Sequence, residues 1–195
     1  MKLKTLRLGA GRTNCYLVRV ETGPAYVIDP ADDAPAILAA LEELGAKEWL
    51  ILLTHAHFDH ILALNGLGAE AVYAQPLEEA ALRDPVLNLS VAAGCAFSSG
   101  LPLVPLGEGD AIGPFSVLHT PGHSPGSLCF YCEEEGLLFS GDILFFSGIG
   151  RSDLPGGDQA RLGASLRRLL ALPPGTLVFP GHGPETSIGA ERRLE

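Results

Sequence analysis

Four metal-ligating side chains crowd into one short stretch, Thr54-His55-Ala56-His57-Phe58-Asp59-His60. In extended backbone, side chains two apart point to the same side. The imidazoles of His55 and His57 can then grip one cation. If the chain turns after His57, Asp59 and His60 face another direction and can grip a second cation nearby. Imidazole combined with carboxylate suits Zn²⁺, Fe or Mn rather than Ca²⁺. One histidine at a strand end is ordinarily a hydrogen-bonded one. Four nitrogen and oxygen donors this close together at a strand-to-loop boundary read as a ligand set.

Three later segments repeat the placement. His123 sits in Thr120-Pro121-Gly122-His123-Ser124-Pro125-Gly126, Asp142 in Ser140-Gly141-Asp142, and His182 in Pro180-Gly181-His182-Gly183. Each follows an apolar, strand-like run and is flanked by glycine, which lets backbone approach closely. Loops carried on a rigid scaffold are where sites usually lie. The sixth histidine, His119, shares strand parity with Phe115 and Val117. It is expected in the core or as an outer hydrogen-bond partner of a ligand.

These side chains need elements to hold them. Residues 2–8 alternate in polarity and read as a strand. Residues 14–20 and 25–29 read as a hairpin closed at Thr22-Gly23-Pro24. A helix capped by Asp32 or Asp33 runs to about Leu44 and stops at Gly45. Residues 49–54 form a short apolar strand of the kind covered on both faces. A short helix is expected from His60 to about Leu64, a strand over 71–74 and a helix over 76–83. Residues 84–109 read as a long irregular segment, either packed over something or a plain connector. Strands follow at 115–119, 127–133, 137–140 and 177–179, with an amphipathic helix over 158–170 that presents Leu162, Leu166, Leu169 and Leu170. The expected architecture is a single domain over 1–195.

Composition bounds the rest. With 47% hydrophobic and 18% charged residues, the chain is not disordered. Its net charge of −10 argues against a nucleic-acid partner and against an anionic membrane surface. No apolar run is long enough to span a membrane, and the N-terminus lacks the pattern of a signal peptide, so a cytoplasmic location is expected. Cys15, Cys95, Cys129 and Cys132 are scattered. Cys129 and Cys132 are three apart on a strand and face opposite sides, so all four read as small buried hydrophobes.

The chain resembles the metallo-β-lactamase superfamily, in His-x-His-x-Asp-His at His55–His60, in the later His123, Asp142 and His182, and in Asn14-Cys15-Tyr16-Leu17 and Ile28-Asp29-Pro30. Within it the chain is similar to the small glyoxalase-II-like hydrolases, through Gly141-Asp142-Ile143-Leu144-Phe145, the stretch from Gly150-Arg151-Ser152-Asp153 to Asp158, and Pro180-Gly181-His182-Gly183-Pro184-Glu185-Thr186. The resemblance implies an α/β protein, an αββα four-layer sandwich of two mixed β-sheets with helices on both outer faces. It also implies two divalent metal ions, Zn²⁺ ahead of Fe or Mn. His55, His57 and His123 would hold the first and Asp59, His60 and His182 the second, with Asp142 bridging them and Asp59 counted as catalytic.

Such a pair can hold a bridging hydroxide, because a bound metal lowers the pKa of water toward about 7. A thioester suits that nucleophile. Its thiolate leaving group has a pKa near about 8.5 and needs little proton donation. The ions leave the site positive, which favours a small anionic substrate at close range, where distant surface charge is screened. Arg151 is a candidate for binding a substrate carboxylate, or for a loop salt bridge with Asp153. Two other readings stay open. One is a persulfide dioxygenase with a single iron on His55, His123 and Asp142. The other is a non-enzymatic metal-binding domain.

Overall fold

The computed structural model describes residues 1–194. The chain divides into two compact units, residues 1–74 with 79–105 and residues 75–78 with 106–195.

The first unit is built on a six-stranded sheet whose strands lie in chain order: β1 (Lys2–Leu8), β2 (Thr13–Arg19), β3 (Ala25–Ile28), β4 (Trp49–Leu52), β5 (Val72–Ala74) and β6 (Leu103–Pro105). β1, β2 and β3 pair antiparallel, and β3 to β6 pair parallel. The hairpin expected around Thr22-Gly23-Pro24 is present, with Leu17 opposite Val27. Helix α1 (Ala34–Glu43) leads from β3 to β4. Asp33 caps it by accepting from the Ala36 N–H at 3.2 Å. At its other end Gly45, at φ +68°, donates to Glu42 O while Ala46 donates to Leu41 O. That pair of bonds satisfies the last carbonyls of the helix. Ile37, Ala40 and Leu41 pack with Leu17, Val27, Ile51 and Leu53 in the core.

Three expectations for residues 58–105 change. The helix after His60 is two separate 3₁₀ turns, Phe58–His60 and Leu64–Gly66. The helix over 76–83 opens as a 3₁₀ turn, Pro76–Glu78, before α2 (Glu79–Arg83). The segment 84–109 is not wholly irregular, since it supplies β6. Pro105 hid that strand, but proline is tolerated where one face of the ladder is open, as on the edge of this sheet.

The second unit carries a six-stranded sheet in the order β14-β13-β10-β9-β8-β7. Its strands are β7 (Ala111–Ile112), β8 (Phe115–His119), β9 (Leu128–Cys132), β10 (Leu137–Gly141), β13 (Leu177–Pro180) and β14 (Thr186–Ser187). A separate hairpin is made by β11 (Leu144–Phe145) and β12 (Gly148–Ile149). β10 and β13 run parallel and the other pairs antiparallel. Helix α3 (Gln159–Leu170) is capped by Asp158 and buries Leu162, Leu166, Leu169 and Leu170, the four leucines expected to share a face. They pack with Leu138, Val178 and Ile188, the last on the short helix α4 (Ile188–Glu191). The two-residue strands and α4 were not anticipated, because elements this short leave no periodic signal.

Cys15, Cys129 and Cys132 are buried as expected, but Cys95 is exposed. Among the described residues no helix is long and apolar enough to cross a membrane.

Candidate metal centre

In the first unit, β3 and β4 are parallel neighbours and β2 runs against β3. The ends of β3 and β4 and the start of β2 therefore share one sheet edge. Asp29, Thr54 and Thr13 stand there, and the histidine cluster follows. His57 is extended, at φ −66° and ψ 146°, as its spacing from His55 requires, and the two rings lie 4.6 Å apart, edge to face. The 3₁₀ turn that follows brings His60 back beside His55, with ring centroids 4.2 Å apart. Asp59 and His60 were expected to turn away from His55 together, but the His60 ring packs closer to His55 than the His57 ring does.

Asp29 organises this edge. It is buried and sits at φ +53°, a backbone conformation that costs a non-glycine residue of order 1 kcal/mol or more. Its Oδ1 accepts the Thr54 N–H at 2.8 Å and its Oδ2 the Thr54 hydroxyl at 2.7 Å. Oδ2 also accepts from Nδ1 of His60 at 2.9 Å. Since the Thr54 hydroxyl proton is committed to Asp29, Thr54 Oγ1 accepts from Nδ1 of His55, 3.0 Å away. Both imidazoles are thereby fixed with the proton on Nδ1, so Nε2 is the basic nitrogen in each. One ligand atom from each of Asp29, His55 and His60 lies within 4.8 Å of the others, but the three bonds already made to Asp29 give it the part of an outer partner. Asp59 accepts from the Thr13 hydroxyl at 3.3 Å, and its Oδ2 lies 3.9 Å from Nε2 of His60.

The second unit repeats the arrangement. β8 ends, β9 begins, and the parallel pair β10 and β13 end at one edge of the sheet. His123, Asp142 and His182 stand just past those ends. A register shift between Phe139 and Gly141 lets Gly141 turn at φ +49°, and Gly181 N–H donates to Gly141 O. Asp142 and His182 thus emerge side by side. One oxygen of Asp142, Oδ2, lies 3.6 Å from Nε2 of His123 and 3.6 Å from Nε2 of His182. Nδ1 of His123 lies 2.8 Å from the carbonyl oxygen of Arg151. A carbonyl can only accept, so Nε2 of His123 is the basic nitrogen too. Gly150 makes this close packing possible, since a Cβ there would lie 1.8 Å from the main-chain oxygen of Asp142. The Phe145 ring meets His182 edge-on at 6.2 Å.

This donor set fits metal. Nε2 of His123 and Nε2 of His182, each 3.6 Å from one carboxylate oxygen, are too far from it for hydrogen bonds. Ligand atoms that share one ion through bonds of about 2.0–2.2 Å stand at roughly this separation. Protons held on Nδ1 by a carboxylate, a hydroxyl or a carbonyl are the usual outer support of metal-bound imidazoles.

A model of the metallo-beta-lactamase superfamily matches residues 8–182. The chain belongs to the metallo-beta-lactamase superfamily. The two mixed sheets with their helices are the fold of that superfamily. The chain is 40% identical to the probable metallo-hydrolase YqgX of Bacillus subtilis, over 98% of this chain and 95% of that protein. It is 33% identical to hydroxyacylglutathione hydrolase GloC of Haemophilus influenzae, over 99% and 96%. Among solved structures it is similar to TTHA1623 in a di-iron-bound form, at 45% identity, with a TM-score of 0.91 and 97% of each chain covered. Like other members of the metallo-beta-lactamase superfamily, the chain carries clustered histidine and aspartate side chains suited to metal-dependent hydrolysis.

The remaining sequence-predicted residues fall as follows. His119 lies outside both groups. It is half-buried, and its Nε2 lies 3.0 Å from Pro125 O. Arg151 points its fork at Asp153, with both bonds at 2.7 Å. That contact holds the Asp153 carboxyl down at about 2. Sequence reading missed Thr54 and the carbonyl of Arg151 as supports of His55 and His123. Thr54 could have been noticed beside its histidine, whereas nothing in a sequence marks a main-chain oxygen.

Proposed function

We propose that the chain is a metal-dependent hydrolase of small anionic thioesters, of the hydroxyacyl-glutathione kind. The observation that carries this is the Asp142 oxygen set 3.6 Å from Nε2 of His123 and 3.6 Å from Nε2 of His182, an arrangement suited to a carboxylate shared by two cations. The family pattern then assigns one ion to His55, His57 and His123, the other to Asp59, His60 and His182, and both to Asp142. Zn²⁺ is the proposed metal on its donor preferences, with Fe or Mn as alternatives; TTHA1623 has been solved with two irons. The thioester is supported by the likeness to GloC.

Bound ions supply a low-pKa water and a Lewis acid for the acyl carbonyl. The residues of the chain do the rest. Asp29, Thr54 and the Arg151 carbonyl keep the Nδ1 protons in place, so that each supported ring offers Nε2. Asp59 and His182 are the more open members of the set, with side chains 23% and 29% exposed, and are the ones substrate can reach. Asp59, steadied by Thr13, is the proposed catalytic carboxylate. No protonated side chain is needed at the leaving group, because a thiolate departs unaided near neutral pH. Arg151 meets a substrate carboxylate by exchanging it for Asp153. A cytoplasmic location is proposed with this activity, and the exposed free Cys95 suits a reducing compartment.

The test is metal analysis of purified protein, followed by a panel of thioesters, a β-lactam and a glutathione persulfide, read with an oxygen electrode. Thioester cleavage that is lost to a chelator and restored by metal, with no oxygen consumed, is expected. Oxygen uptake with the persulfide and no thioester cleavage overturns the reading in favour of the single-iron dioxygenase. A metal-loaded protein that turns over nothing in the panel overturns it in favour of a non-enzymatic metal-binding domain.

A further inference from the structure

The loop from Thr120 to Ser127, which carries His123, is tied from within and from its own unit. Thr120 N–H donates to Ser127 O, and Gly122 N–H to Ser124 O. Ser124 N–H donates to Ser127 Oγ at 3.1 Å. The Ser165 hydroxyl donates to Pro121 O at 2.8 Å, and His119 Nε2 lies 3.0 Å from Pro125 O. One further contact comes from the short Gln75–Glu78 piece of the second unit. Glu78 is 2% exposed. Its Oε1 accepts the Ser124 hydroxyl at 2.7 Å and the Gly126 N–H at 2.8 Å.

A carboxylate is costly to bury unless donors surround it, and the 3₁₀ turn that holds Glu78 needs no such group for its own bonds. The two donors lie on either side of Pro125, starting one residue beyond His123. Gly126 is fitted to the contact, because a Cβ there would sit 2.8 Å from Cγ and Oε1 of Glu78. The Ser124 proton goes to Glu78, so the Ser127 hydroxyl donates in turn to Ser124 Oγ, 2.7 Å away, and the whole serine pair is oriented from one end. We propose that Glu78 is a positioning residue for the metal centre, which sets the bearing of the His123 ring through Ser124 and Gly126. This rests on the reading of His123 as a metal ligand.

The experiment is competition of metal-free full-length protein against a chromophoric chelator for Zn²⁺, with unfolding of the metal-free form followed alongside. Glu78→Ala is expected to weaken the site about 10–100-fold, the range for loss of an outer partner. Glu78→Gln keeps an oxygen that accepts both donors and is expected to hold metal close to wild type. Gly126→Ala, which pushes the carboxylate off the loop, is expected to behave like Glu78→Ala. A purely structural role would lower the melting point of the metal-free form and leave its affinity alone. Wild-type affinity in folded Glu78→Ala overturns the proposal, as does Glu78→Gln performing no better than Glu78→Ala. If Glu78→Ala does not fold, Gly126→Ala with wild-type affinity overturns it instead. His123→Ala separates the two levels. Unchanged affinity there means that the ligand reading has failed, whereas lost affinity there beside normal binding in Glu78→Ala means that only the role of Glu78 has failed.

Discussion

Oδ2 of Asp29 lies 2.9 Å from Nδ1 of His60 and takes the Thr54 hydroxyl as well, so one buried carboxylate sets the protonation of two rings. Asp29→Ala leaves buried donors without their acceptor, at a cost of about 1–3 kcal/mol for each unsatisfied group. It also frees Thr54 to donate to His55 and reverse its tautomer. Denaturant unfolding is expected to show the loss of stability, and chelator competition a metal affinity lower by about 10–100-fold.

His57→Ala and Asp59→Ala are expected to abolish hydrolysis while the protein stays folded. Circular dichroism and the melting point of the metal-free form check the fold, and a thioester assay checks the activity. Activity equal to wild type in either variant rejects the two-ion assignment.

Gly150→Ala places a methyl group where the main-chain oxygen of Asp142 now lies, at 1.8 Å, with Nδ1 of His123 3.5 Å away. Backbone must move to relieve the clash. Activity is expected to fall by about 100-fold, the scale of a misplacement of 1 Å, together with a lower melting point. Gly148→Ala, with open space around it, serves as the control and is expected to match wild type in both measurements.

Arg168 donates from both arms of its guanidinium to Glu108, Nη1 to Oε2 at 2.7 Å and Nη2 to Oε1. This holds the Glu108 carboxyl below its ordinary value of 4.5. A depressed folded-state pKa stabilises the protein above the unfolded value and ceases to do so as pH falls through the folded one. The pair is half-exposed, so its contribution is about 0.2–1 kcal/mol. Denaturation midpoints measured from pH 6 down to 3 are expected to fall less steeply in Glu108→Gln than in wild type, with the difference confined to the region below about pH 4.5.

The parts of the molecule that were legible in sequence are those with a long or repeated signal. Leu162, Leu166, Leu169 and Leu170 announced α3, and Asp33 and Gly45 bounded α1. His55 and His57 were legible because strand geometry alone decides that they share a side. His60 was not fully so: its turn is 3₁₀ rather than α-helical, and the hydrogen bond to Asp29, a residue 31 positions earlier, pulls the ring back toward His55. β6 was hidden by Pro105, and β11, β12 and β14 by being two residues long. For Arg151 the expected loop salt bridge with Asp153 is present. Its observed contact with the site is a main-chain oxygen that any residue would supply, while its guanidinium is occupied by Asp153.

The β11–β12 hairpin leaves the sheet edge at Asp142 and is back at Gly150, with the Ser140 hydroxyl on Leu144 O and Gly150 N–H on Ile143 O clasping its base, while Phe146 at the tip is 55% exposed. Anchorage and display are thus separated within a few residues. A substitution at Phe146 can therefore alter what the hairpin displays to solvent and leave the bonds at Ser140 and Gly150, which bracket Asp142, undisturbed.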